Sequence, residues 1–316
     1  MKPLTKNAML RDSCAKPGLP VWIEILIFIA VFYVSQVLIS IPLSVAELFW
    51  LFPWMKNNDI VSLVQHGSLW DAIMQITASM PSWLWLVNLF CTALMTATVI
   101  LFCRLFQKRS LPSLGFRRRH AAQEYLIGAL VGAALFSLAV LLCWLTGSLT
   151  LEKSSFSVGM WILFLLGFII QGMSEEVLCR GYFMPSLARK SSLLWAILIN
   201  SLLFSALHLF NPGISIIALL NIALFGILAS LYVLRRGDIW GACAMHSLWN
   251  FVQGNVFGIH VSGNPIGTSP FSASLPASHK LWNGGDFGLE GGLAVTLVLS
   301  IGIFLFLFVI PSKKEE

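Results

Sequence analysis

The sequence predicts an all-α protein, a polytopic transmembrane helical bundle of about eight spans. Three observations carry this. Of 316 residues, 57% are hydrophobic and only 11% are charged, with a mean hydropathy of +0.83, whereas soluble domains carry about 25% charged residues. Apolar runs close to the roughly 20 residues that a spanning helix needs recur eight times. The charges that remain are sorted by side. A soluble fold has too little interior to hide this much apolar surface, and a disordered chain would be far more polar.

The elements follow in order. Residues 1–20 are mostly polar and read as a cytoplasmic N-terminal segment. The first apolar run, 21–47, is too long for the core of a signal peptide. Further spans are expected at 82–106, 124–146, 157–185, 192–209, 214–234, 239–257 and 291–310. The fourth turns polar towards its C-terminal end. The seventh is the least apolar, with Gly241, His246, Asn250 and Gln253. Between the first two spans, 48–81 holds a Trp- and Met-bearing stretch suited to an interfacial amphipathic helix. Residues 258–290 are rich in Gly, Ser, Pro and Asn and are expected to form an irregular loop or a short re-entrant piece. The chain divides into residues 1–20, the helices and basic loop of 21–119, a helical core at 120–257, the Gly-rich extracytoplasmic loop 258–290, and a last span with a short tail at 291–316. No internal repeat or low-complexity tract interrupts it.

Charge orients the bundle. With the N-terminus inside, fifteen of the twenty Lys and Arg residues fall on inner segments, and the outer ones hold only Lys56, Lys153 and Lys280. By the positive-inside rule both termini are cytoplasmic and the number of spans is even. The net charge of +6 fits contact with anionic membrane lipids. Nucleic acid is not expected as a partner, because no basic groove with interleaved aromatics is present. Cys14, Cys91, Cys103, Cys143, Cys179 and Cys243 form no CxxC pair and read as small buried hydrophobes.

Ionisable groups at membrane depth are costly and mark function by default. In Ser174-Glu175-Glu176-Val177-Leu178-Cys179-Arg180, Glu176 and Arg180 are i, i+4 neighbours able to pair. Glu175 points about 100° away from Glu176 on a helix of 3.6 residues per turn. One acid can then be structural while the other serves proton transfer; a purely structural ion pair is the competing reading. Asn200, Phe204 and His208 share one face of the fifth span. His246 and Asn250 share a face of the seventh, suited to oxyanion stabilisation, to a metal, or simply to helix–helix hydrogen bonding. At 1.5 Å per residue, His208, Glu175 and His246 lie about 24, 20 and 12 Å from their inner helix boundaries. All three can meet within the membrane, where a cavity would open to the cytoplasmic half. Ser174 and Cys179 lie on different faces from any clear base, so a serine or cysteine nucleophile has little support.

The ordered set Glu175-Glu176-x-x-x-Arg180, Phe204-x-x-x-His208 and His246-x-x-x-Asn250 resembles the CAAX protease and bacteriocin-processing family of intramembrane proteases, which includes the type II CAAX prenyl endopeptidases. The resemblance covers about residues 120–257, and Arg180-Gly181 also fits. The Gly-rich stretch Asn283–Gly291 looks like tails of bacterial members. The family implies a catalytic cavity inside the membrane, reached from the bilayer and the cytosol. By that resemblance Glu175 activates water with help from His208, His246 and Asn250 stabilise the oxyanion, and Glu176 and Arg180 organise the site. The expected activity is endopeptidase cleavage of a peptide or membrane-protein substrate in the plasma membrane of a bacterium. Prenylated substrates fit that source less well than leader-peptide processing, peptide-signal maturation or bacteriocin self-immunity. There is no HExxH pair, and Glu175, His208 and His246 are compatible with a divalent metal such as zinc or with none.

Two other readings compete. A non-catalytic or immunity protein of the same family would bind other membrane proteins, although the three intact motifs favour catalysis. A transporter would show inverted repeats and paired broken helices, and neither is visible. Oligomeric state is left open.

Overall fold

The computed structural model describes residues 5–57, 76 and 79–313. After a short helix α1 (Ala8–Cys14) come α2 (Val21–Asn57), α3 (Ser82–Leu105), α4 (Ala121–Leu145), α5 (Val158–Leu187) and α6 (Leu193–Ala206). They are followed by α7 (Ile216–Arg236), α8 (Trp240–Phe251) and α9 (Leu293–Val309). Helices thus stand at all eight expected positions. Five of them, α2, α3, α4, α5 and α7, are long and apolar enough to cross a bilayer by length and composition. α6 and α9 are apolar but shorter. α8 gains one further wide turn at Val252–Val256.

Two expectations need correction. α2 runs to Asn57, ten residues beyond the expected end at 47. Glu47 alone does not stop it, because Leu48, Phe49, Trp50, Leu51 and Phe52 keep the stretch apolar. The rest of the proposed interfacial segment falls largely outside the described residues. α6 ends at Ala206, so His208 sits in the turn that follows the helix.

Burial separates inner from outer helices. The share of the apolar window buried is 22% in α2 and 28% in α3, but 56% in α5 and 67% in α7. α2 leaves Tyr33, Val37, Ile41 and Phe49 exposed, as a lipid-facing helix must. The densest packing lies between α4 and α8. Cβ atoms at Gly128 and Gly132 would collide with the carbonyl oxygens of Gly241 and Met245. This Gly-x-x-x-Gly ridge lets two backbones touch, the packing that substitutes for the hydrophobic effect between helices in lipid.

Both termini lie at one end of the bundle. Asn7 Nδ2 donates to Val233 O (2.9 Å), Lys6 Nζ to Ala188 O (2.9 Å) and the Lys313 amide to Arg235 O (2.7 Å). At the opposite end, β1 (Thr150–Lys153) pairs antiparallel with β2 (Phe271–Ser274), with Thr150 opposite Ser274. The Gly-rich segment there is irregular, as expected, but this hairpin-like pairing was not foreseen. Asn283 ties the segment down by donating to Ser148 O (2.8 Å) and Pro276 O (3.0 Å).

Candidate active site

Helix α5 changes pitch where its charges begin. Ordinary α-helix ends at Glu176, and Val177–Phe183 is a π-helix. Such wide turns leave main-chain carbonyls in need of donors and recur at functional sites. Here Arg109, from the loop between α3 and α4, reaches in. Its guanidinium donates to Gly181 O (2.8 Å) and Tyr182 O (3.2 Å), and also to Ser13 Oγ (2.8 Å) and Ser113 O (2.7 Å). Burial pulls the Arg109 pKa down to about 10, which keeps it charged at neutral pH.

The two adjacent carboxylates part company as the helical geometry requires. Glu176 is fully buried; its Oε1 accepts from Arg180 Nη1 at 2.9 Å and lies 3.0 Å from His246 Nδ1. Glu175 is 23% exposed and faces the cavity, with Oε1 accepting from Gln171 Nε2 at 2.6 Å. Its Oε2 lies 3.7 Å from His246 Nε2 and has no hydrogen-bond partner. His246 is therefore flanked by both acids. A carboxylate can only accept, so Nδ1 of His246 carries the proton towards Glu176.

Arg180 is fully buried, with its guanidinium 4.6 Å from the centroid of the Phe204 ring. Gly226 of α7 makes room for it, since a Cβ there would come within 3.0 Å of Nη2. Nε and Nη2 have no hydrogen-bond partner, so Glu176 and the ring face are what balance the charge.

His208 Nδ1 lies 2.9 Å from Phe204 O. A carbonyl is an acceptor, so Nδ1 is protonated and Nε2 is the basic nitrogen left for a ligand. Asn250 Nδ2 donates to Gln171 Oε1 at 3.0 Å. Gln171 thus links Asn250 to Glu175, a role the sequence reading missed. Its position four residues before Glu175 was the available signal. Asn200 does not join the site: its amide faces Ser230 Oγ at 3.4 Å on α7.

Glu175, His208, His246 and Asn250 line one cavity of about 350 Å³. Glu176 and Arg180 stand behind its wall. Phe32, Trp85, Phe168, Phe225 and Trp249 supply apolar surface, while Gln36, Asn88, Asn211, Asn221 and Asn264 supply amides. Val261, Ser262, Asn264, Ile266 and Glu290, from the end opposite the termini, close one side. The cavity therefore lies towards that end, not towards the termini as the sequence reading expected. The reason is geometric: α6 stops at Ala206, so His208 sits at the far end of its helix.

Nδ1 of His246 is turned to Glu176 and Nδ1 of His208 to a carbonyl, which leaves Nε2 as the remaining nitrogen of each ring. Among the described residues no group of three or more His, Cys, Asp or Glu side chains could hold a metal ion.

Residues 157–252, the stretch from α5 to just past α8 that supplies half of the cavity lining, match the family model described as type II CAAX prenyl endopeptidase Rce1-like. Over this stretch the chain is similar to the CAAX protease family. No curated protein and no solved structure matches the chain. At family level this CAAX protease core is that of a peptide hydrolase, carried in a multi-pass membrane protein. The matched stretch ends before the Gly-rich segment, so Glu290 lies outside it, as do the α2 and α3 contributions that precede it.

Proposed function

We propose that this protein is an intramembrane endopeptidase that hydrolyses a peptide bond of a membrane-associated protein or peptide with water activated by Glu175 and His208. The observation that carries the reading is the pairing of roles between neighbouring acids. Glu176 is neutralised by Arg180, while Glu175 lines the cavity, with one oxygen held by Gln171 and the other 3.7 Å from His246 Nε2. Peptide hydrolysis needs an activated nucleophile, a proton shuttle and a partner for the oxyanion. Glu175 takes a proton from water as the oxygen adds to the carbonyl carbon. His246 Nε2, when protonated, and Asn250 Nδ2–H donate to the oxyanion. The C–N bond then breaks as the proton passes to the leaving nitrogen through Glu175 or His208.

We infer that both termini are cytoplasmic, from the concentration of basic residues at their end of the bundle. The substrate then reaches the cavity from the bilayer or from the side of the Gly-rich segment. That favours a leader peptide or peptide signal over a cytosolic prenylated protein.

The test compares membrane peptides from cells carrying the wild type with those carrying Glu175→Gln. A precursor is expected to accumulate in the variant, at normal protein level. General-base loss predicts a rate drop of roughly 10²–10⁴-fold, and the wild-type rate with and without a chelator tells whether a metal assists. If processing and any associated phenotype survive Glu175→Gln, the protein acts by binding other membrane proteins.

A further inference from the structure

Charge bookkeeping around the cavity leaves one group without a task. The residues assigned to hydrolysis pair among themselves: Glu176 with Arg180, and both acids flanking His246. Glu290 remains. It lines the same cavity and is 9% exposed. Its Oε1 accepts from Trp249 Nε1 (3.3 Å), and its Oε2 accepts from Gln253 Nε2 (3.1 Å), the Ser262 amide (2.8 Å) and Ser262 Oγ (3.0 Å). All four donors are neutral. Acceptance on both oxygens is the pattern of an ionised carboxylate, so a full negative charge is held at the wall without a cation. Among the described residues the cavity lining combines amides and apolar side chains with Glu175, His208 and His246, and includes no Lys or Arg.

In a water-poor site a fixed charge of this kind discriminates strongly between ligands of opposite sign. We propose that the cavity selects a neutral or cationic stretch of polypeptide and disfavours a free C-terminal carboxylate near the scissile bond, with Glu290 the specificity-determining residue. The proposal rests on the endopeptidase reading above. It makes the substrate an internal peptide bond with Lys or Arg nearby, not the release of a short C-terminal fragment. An anionic end group would meet Glu290, and the lining His246 is already flanked by Glu175 and Glu176, whereas a Lys or Arg side chain supplies a counter-charge. The lining amides of Gln36, Asn88 and Asn264 can pair with either edge of a peptide backbone.

The experiment incubates purified protein in proteoliposomes with a peptide library made from a whole proteome, and identifies products by mass spectrometry. Only cleavages absent from Glu175→Gln are counted. The expected products show Lys or Arg enriched close to the cut, with cuts within three residues of a free C-terminus depleted. Glu290→Gln keeps a hydrogen-bonding side chain and should lower the Lys/Arg enrichment by roughly threefold or more. Because Glu290 anchors a loop, Gln36→Lys serves as a second variant that adds a cation to the wall and leaves those four bonds intact; it should shift selectivity the same way. Glu175-dependent cuts that ignore charge, or that concentrate at C-terminal tripeptides, would overturn the proposal while leaving the hydrolase reading standing. No Glu175-dependent cut at all would overturn both.

Discussion

Arg180 shows how much a single side chain can depend on its surroundings. Its guanidinium is fully buried with one carboxylate partner, Glu176, and an aromatic face. Removing one member of a buried pair leaves the other charge uncompensated, at a cost of about 3–5 kcal/mol. Arg180→Ala is therefore expected to lower the melting temperature in detergent and the folded yield, together with activity. Arg180→Lys should recover part of both, since an ammonium can reach Glu176 but cannot lie flat over Phe204. A melting temperature equal to wild type for the alanine variant would refute the structural pairing. Glu175, one residue before Glu176, is expected to behave oppositely: Glu175→Gln keeps a partner for Gln171 and should fold normally while losing hydrolysis. The pairing of Glu176 with Arg180 and the rotation of Glu175 away from it were both legible in the sequence, because they follow from helical spacing. Gln171 and Glu290 were not singled out. Neutral amides are common in helices, and a Glu in a Gly-rich loop has no fixed direction until the loop folds.

At the scale of elements, α4 and α8 decide where His246 and Asn250 stand. Gly128 and Gly132 lie against the backbone of Gly241 and Met245, the latter the immediate neighbour of His246. Any added atom must push α8 away from α4 or towards α5. Gly132→Ala is expected to cost about 1–3 kcal/mol through overpacking and to reduce activity by displacing His246. Gly159→Ala is the control: nothing lies within 4 Å of its Cβ position, and thermal unfolding should be unchanged. Equal stability of the two variants would mean that the tight α4–α8 contact does not bear on the fold. The π-helical turn at Val177–Phe183 is a second element-level device. It depends on Arg109 donating to Gly181 O and Tyr182 O. Arg109 appeared in the sequence only as one of many inner basic residues, so its structural task was hidden by its usefulness as a topology marker.

For the whole molecule, the termini share one end, while β1, β2 and the Gly-rich segment share the other. With the termini inside, an impermeant maleimide should label a cysteine placed at Ser154 in intact cells. A cysteine placed at Arg118 should react only after the membrane is opened. The reverse pattern would invert the orientation and turn the cavity to the cytosol. Cavity placement is the point on which sequence arithmetic failed. Distances along ideal helices set His208, Glu175 and His246 within the membrane, but not which end of the bundle would contribute the remaining walls. Those walls come from Val261, Ser262, Asn264, Ile266 and Glu290, far along the chain from the three motifs.

The sequence by itself determined that the chain lives in a membrane, where its helices lie, and which motif residues carry charge at depth. Those properties depend on apolar run length, charge sorting and spacing within one helix, all of which are local. Only the tertiary structure decided which acid faces the cavity wall, that Gln171 joins Asn250 to Glu175, and that Glu290 is held by Trp249, Gln253 and Ser262 in the same wall. Each of these requires side chains from different helices to meet. In a bundle whose helices are nearly all apolar, one-dimensional patterning leaves relative rotation and depth undetermined. Close contacts such as Gly128 and Gly132 against α8 fix them.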